Sequence, residues 1–121
     1  MTFTLVATVI AVAGLLLGLG WLCAGHLLFK RWRIEPNPAG LLVGRRIGAV
    51  YLGLAIIFWL GRNAPPSELR VTLCVGALFV MVLLAALGLF EYRARRAGSA
   101  ILISVALEVV IAIGLINVLV F

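Results

Sequence analysis

Glu108 is the one carboxylate in residues 97–121, a stretch with no other ionisable side chain. Ser104 precedes it by one helical turn, so a helix here carries both on one ridge. An acid in such surroundings has two chemistries open to it. It can exchange a proton or hold the cationic group of a substrate, or it can stand as a neutral acid whose hydrogen bond ties its helix to a neighbour. The groups in apolar sequence able to answer it are Tyr51 and His26, with Arg45 or Arg46 reaching inward from nearby. No second acid lies in comparable surroundings, so no chain of carboxylates relaying a proton is expected.

Other reactive sets are missing. One histidine and the separated Cys23 and Cys74 make neither a zinc site nor a bis-histidine haem site. No Ser/His/Asp constellation occurs, and the glycines of residues 40–44 lack the lysine and helix context of a phosphate-binding loop. The chain is therefore expected to be no enzyme and to hold no metal and no cofactor. Cys23 and Cys74 read as small apolar packing residues, and their depths differ by something like 20 Å, too far for a disulfide. His26 and Asn117 also read as polar residues near helix ends.

Four long apolar runs must position these groups. Residues 3–29 hold no formal charge, 47–61 none beside the normally neutral Tyr51, and 71–90 none at all. A helix needs about 20 apolar residues to cross the ~30 Å hydrocarbon layer. A hydrophobic fraction of 65% and a mean hydropathy of +1.28 lie outside the range of soluble domains. A mass of 13.0 kDa leaves room for one domain over residues 1–121. The expected fold is all-α, an integral membrane four-helix bundle with helices at about 3–29, 44–61, 69–90 and 98–120. Helix 2 is short, because Arg46 and Arg62 leave only ~22 Å between them and must snorkel to the headgroups. Glu108 then lies ~14 Å into helix 4, where an ionised side chain costs at least ~2.5–3.5 kcal/mol.

The net charge of +6 would suggest nucleic acid in a soluble chain, but its placement gives a simpler cause. Lys30, Arg31, Arg33, Arg45 and Arg46 flank the first connection, and Arg93, Arg95 and Arg96 sit in the third. The middle connection has only Arg62 and Arg70. The positive-inside rule then puts connections one and three in the cytoplasm and both termini outside. The basic residues follow the first run, the reverse of a secretory signal, so this run is expected to stay as a helix.

Local signals mark the connections. Pro36 and Pro38 exclude a helix interior, and Ser67 reads as the N-cap of helix 3. Trp21, Trp32, Trp59 and Tyr92 fall at or near the expected interfaces. The segment Phe29-Lys30-Arg31-Trp32-Arg33 is echoed by Phe90-Glu91-Tyr92-Arg93-Ala94-Arg95-Arg96. That echo would suit two parallel helical hairpins, although any helix entering the cytoplasm tends to end this way.

Small residues four apart let backbones approach in lipid. Gly14 and Gly18 form such a pair on helix 1, with Gly25 on a similar face. Gly44 and Gly48, then Ala49 and Gly53, do so on helix 2. Helix 3 offers Ala77, Met81, Ala85 and Gly88, and helix 4 offers Ala100, Ser104, Glu108 and Ala112.

The segment Arg45-Arg46-Ile47-Gly48-Ala49-Val50-Tyr51-Leu52-Gly53-Leu54, followed by a second short hairpin, resembles small four-helix bacterial membrane proteins of the DoxX-like and uncharacterised type. The resemblance covers mainly helices 2 and 3 and implies an inner-membrane bundle. Small multidrug transporters carry their essential glutamate in the first helix, which here has no acid. The phenylalanine- and threonine-rich motif of fluoride channels is absent from residues 71–90. The leading expectation is a non-enzymatic accessory or scaffold subunit, packing through its glycines on another membrane protein or on itself. The competing one is a small proton-coupled transporter or amphiphile-binding bundle built on Glu108, Ser104, Tyr51 and His26. The lipid bilayer is a partner in either case, and nucleic acid in neither.

Overall fold

The computed structural model describes residues 2–121 and is all-helical among them. Its four helices are α1 (Phe3–Arg31), α2 (Pro38–Leu60), α3 (Glu68–Arg93) and α4 (Ile101–Val120). Each is long and apolar enough to cross a membrane, which makes the chain a multi-pass membrane protein. Large apolar side chains stay exposed on all four, among them Leu16, Leu60, Phe79 and Val110. A monomer in water does not tolerate apolar surface on this scale, whereas lipid covers it.

The helix ends follow local chemistry. The side chains of Thr2, Asn37 and Ser67 accept hydrogen bonds from the backbone N–H groups of Leu5, Gly40 and Arg70. Ser67 is thus the cap expected of it. Helix α2 starts earlier than the expected position near 44, because Asn37 caps it and Pro38 occupies the first turn. Proline is welcome there, since its missing N–H would have no partner in any case. With 23 residues α2 is ~35 Å long, but the charge-free run between Arg46 and Arg62 is unchanged and both arginines still have to snorkel. Inside the spans, Thr8 and Thr72 donate their hydroxyls to the carbonyls of Thr4 and Glu68, so neither is left bare in lipid.

Helices α1 and α3 end alike. Ile34 N–H donates to Phe29 O at 2.8 Å and Arg33 N–H to Lys30 O at 3.0 Å. Arg96 N–H donates to Glu91 O at 3.0 Å and Arg95 N–H to Tyr92 O at 3.1 Å. Both are Schellman caps, and both set an arginine at the left-handed position, Arg33 with φ 58° and Arg95 with φ 60°. Glycine is usual there, since a Cβ in that conformation costs roughly 1–2 kcal/mol.

Two helical hairpins result, α1 with α2 and α3 with α4, joined by a lighter α1–α4 contact. Gly98 N–H donates to Trp32 O at 2.7 Å, so the first and third connections share one end. At the other end Thr2, Pro66 and Phe121 border a common depression. There Arg70 lies over the Phe3 ring at 4.2 Å and donates to Ala64 O.

The α1–α2 seam is built on glycine. A Cβ on Gly18 would lie 2.9 Å from Gly48 O, and one on Gly48 2.8 Å from Gly18 O. The Trp21 indole covers Gly44, Phe29 covers Gly40, and Trp21 meets Phe29 and Trp32 edge to face. Ala24 leaves helical geometry beside Gly25, which bends α1 one turn beyond this contact. On the other hairpin, Val105 sits against Gly88. The core joining the hairpins lies in the half near the termini. It consists of Phe3, Val6, Ala7, Ile10 and Ala11 of α1, with Phe58, Cys74, Ile111 and Leu115 from the other three helices.

Candidate functional site

Between the two hairpins, just beyond that core, lies a cavity of about 60 Å³. All four helices border it: Gly14 and Leu17 of α1, Tyr51 and Leu54 of α2, Met81 and Leu84 of α3, and Ser104 and Glu108 of α4. Helix α4 starts at Ile101, three residues later than the expected 98, so Glu108 stands about 10 Å along it and within one turn of its midpoint. Its i−4 relation to Ser104 turns both toward the cavity, and Ala112 a turn further on is buried.

The structure thus brings together Glu108, Ser104 and Tyr51. It does not bring in His26, which is exposed on α1 beyond the Ala24 bend. Arg45 and Arg46 are exposed on α2 and do not border the cavity. Among the described residues, no arginine or lysine reaches the carboxylate, and Glu108 Oε2 is buried with no hydrogen-bond partner. Tyr51 and Ser104 share the cavity with it without closing a bond to that oxygen.

This geometry separates the two chemistries. A lock needs a hydrogen bond to the carboxyl group, and a buried acceptor without one costs about 1–3 kcal/mol, more if charged. A binding site needs an unsatisfied acceptor, space beside it and a way to open. Sixty cubic ångströms hold a few waters or a small cationic head but not a whole amphiphile. Among the described residues no Cα pair between α2 and α3 comes within 8 Å, so on that flank of the cavity the two helix backbones stand apart. Parting the hairpins about the α1–α4 contact would widen it without breaking either glycine seam.

Of the glycines expected to meet neighbours, Gly14, Gly18, Gly44 and Gly48 all lie in the α1–α2 seam. Gly53 has nothing within 4 Å of its Cβ position and faces outward, and Gly76 on α3 is equally open. Sequence reasoning missed that Leu17, Leu54, Met81 and Leu84 wall the cavity. In an apolar helix no polar face marks which leucines turn inward. Among the described residues no group of three metal-ligating side chains forms. No family model, no curated protein and no solved structure matches the chain.

Proposed function

We propose that the chain is a small, non-enzymatic transport or ligand-binding bundle in which Glu108 exchanges a proton for the cationic end of an amphiphile. The observation that carries this reading is Glu108 Oε2, buried beside a cavity and unpartnered. Among the described residues nothing near it supplies a compensating charge, so a proton or a bound cation must. Tyr51 and Ser104 are the polar groups that orient the occupant, and Leu17, Leu54, Met81 and Leu84 receive its apolar part. His26 has no part in the site.

The test is uptake of a lipophilic phosphonium cation by proteoliposomes under a pH gradient. Native protein is expected to accelerate uptake over protein-free vesicles, and Glu108→Gln to lose at least about tenfold of that, because an amide cannot exchange a proton. Uptake by the Gln variant equal to native would end this assignment.

A second reading, an accessory subunit seated on another membrane protein or on its own copy, keeps one specific support. Gly53 and Gly76 expose backbone to lipid on α2 and α3, where a partner helix could approach closely. Isolation in mild detergent separates the two. A stable large complex lost on Gly53→Leu or Gly76→Leu favours the subunit role, and a small particle active by itself favours transport.

By the same positive-inside argument we propose that the end bearing Lys30–Arg33 and Arg93–Arg96 lies in the cytoplasm and both termini outside, in the bacterial inner membrane that the resemblance of residues 45–54 implies. Reporter fusions after residue 121 should show periplasmic activity, and fusions within 93–97 cytoplasmic activity. A cytoplasmic signal from the C-terminal fusion would invert the orientation.

A further inference from the structure

At the end of the molecule opposite the termini, the two Schellman caps converge. Arg33 comes from the first hairpin and Arg93, Arg95 and Arg96 from the second, and together with Ser99 they border a depression of about 500 Å³. The Gly98 N–H to Trp32 O bond holds the two connections together here. Gly98 also lets the Arg33 stem lie flat, because a Cβ at residue 98 would stand 3.0 Å from Arg33 Cγ and Cδ. Among the described residues no acid lines the depression, and Glu91, next to Tyr92 in the chain, is taken by Arg96 through a paired contact of 2.6 and 3.1 Å. Arg33, Arg93 and Arg95 have no carboxylate partner among the described residues. The 20-residue helix α4 starts at the rim without a side-chain cap, so the positive end of its dipole adds to the same field.

The positive-inside rule explains why arginines lie at this end. It does not explain why two of them occupy backbone positions that favour glycine, nor why both do so at the rim of one depression. We propose that this depression is a binding site for the phosphate of an anionic phospholipid headgroup, clamped between the two hairpins by Arg33 and Arg95. Guanidinium forks match phosphate oxygens in pairs. Tyr92 beside them and Trp32 in the adjoining connection are amphipathic rings of the kind found at headgroup level. A headgroup held here would add a second bridge at this end to hairpins joined by the Gly98–Trp32 bond, the α1–α4 contact and the core near the termini.

Glycine substitution gives a test in which binding and folding move in opposite directions. In Arg33→Gly/Arg95→Gly both left-handed positions are relieved, so the thermal midpoint in pure phosphatidylcholine should equal or exceed that of the native protein. Tryptophan quenching by brominated phosphatidylglycerol against brominated phosphatidylcholine reads lipid preference. Native protein should favour the anionic lipid roughly 10- to 30-fold, and the double variant should lose that preference. Arg45→Gln/Arg46→Gln removes the same charge at the same end, away from the depression, and should keep it. A preference that survives in the glycine variant overturns the site, and an equal loss in the Arg45/Arg46 variant reduces it to bulk charge. Inorganic phosphate at millimolar concentration, against chloride of matched ionic strength, should not displace the brominated lipid. Displacement would assign the depression to a soluble phosphate compound and overturn the lipid.

Discussion

Gly48→Leu is expected to prevent the α1–α2 hairpin from closing. A Cβ at residue 48 would meet Gly18 O at 2.8 Å, Trp21 Cβ at 3.0 Å and Leu22 Cγ at 3.2 Å, all in the facing helix. The first of these is backbone, so no rotamer change relieves it and α1 itself must move. Moving α1 lifts the Trp21 indole off Gly44 and opens the aromatic group it forms with Phe29 and Trp32. In lipid no hydrophobic force draws helices together, so close packing lost here is not regained elsewhere. The expected destabilisation is about 3 kcal/mol, at the upper end for overpacking, with most of the protein leaving the monodisperse fraction in detergent. Gly14→Leu should act in the same direction, since a Cβ there meets Tyr51 O at 3.0 Å. Gly53→Leu is the control on the same helix, with open space around it, and should unfold at the native temperature. Thermal unfolding of the three variants decides the matter, and equal midpoints would remove the close-packing account of α1 and α2.

Glu108→Leu is expected to do the reverse and raise stability, by about 1–3 kcal/mol, while abolishing cation uptake. The carboxylate oxygen that it removes is buried without a partner, and leucine matches the apolar side chains around it. Glu108→Gln should leave stability within about 1 kcal/mol of native and be equally inactive. A site kept at the expense of stability is what a functional carboxylate looks like. A structural lock predicts the opposite order, with leucine the least stable of the three. Chemical labelling supplies an independent reading. The other acids, Glu35, Glu68 and Glu91, are exposed or half-exposed at helix ends and connections. A hydrophobic carbodiimide, which reacts with a protonated carboxyl reached from the lipid phase, should therefore label Glu108 in preference to them. A label spread evenly over the four would mean that Glu108 is neither neutral nor specially reachable.

The physical scale of each interaction separates what the sequence alone determines from what the tertiary structure decides. Span number and approximate limits are legible because the transfer of apolar residues to lipid is additive along the chain and needs no neighbour. Ser67 is legible as a cap because its hydrogen bond reaches only to Arg70. The start of α2 at Pro38 was equally local, an asparagine followed by a proline suited to a first turn, and reading both prolines of that connection as breakers concealed it. The echo between the ends of α1 and α3 is visible in the residues, but their two left-handed arginines are not, since arginine carries no sign that it will occupy a glycine position.

The rest depended on which faces meet. A helix that is apolar all round does not encode its own inward side, so Gly48 and Gly53, five residues apart, read alike and end one in the seam and one in lipid. Likewise, the depth of Glu108 follows from counting residues along α4, and its i−4 pairing with Ser104 from the helical period. That Tyr51 shares its cavity, that His26 and the arginines do not, and that Oε2 finds no partner there follow from the docking of two hairpins. Contacts between hairpins join residues far apart in the chain, and a carboxylate is satisfied or left bare by differences of an ångström that no pattern along one chain records.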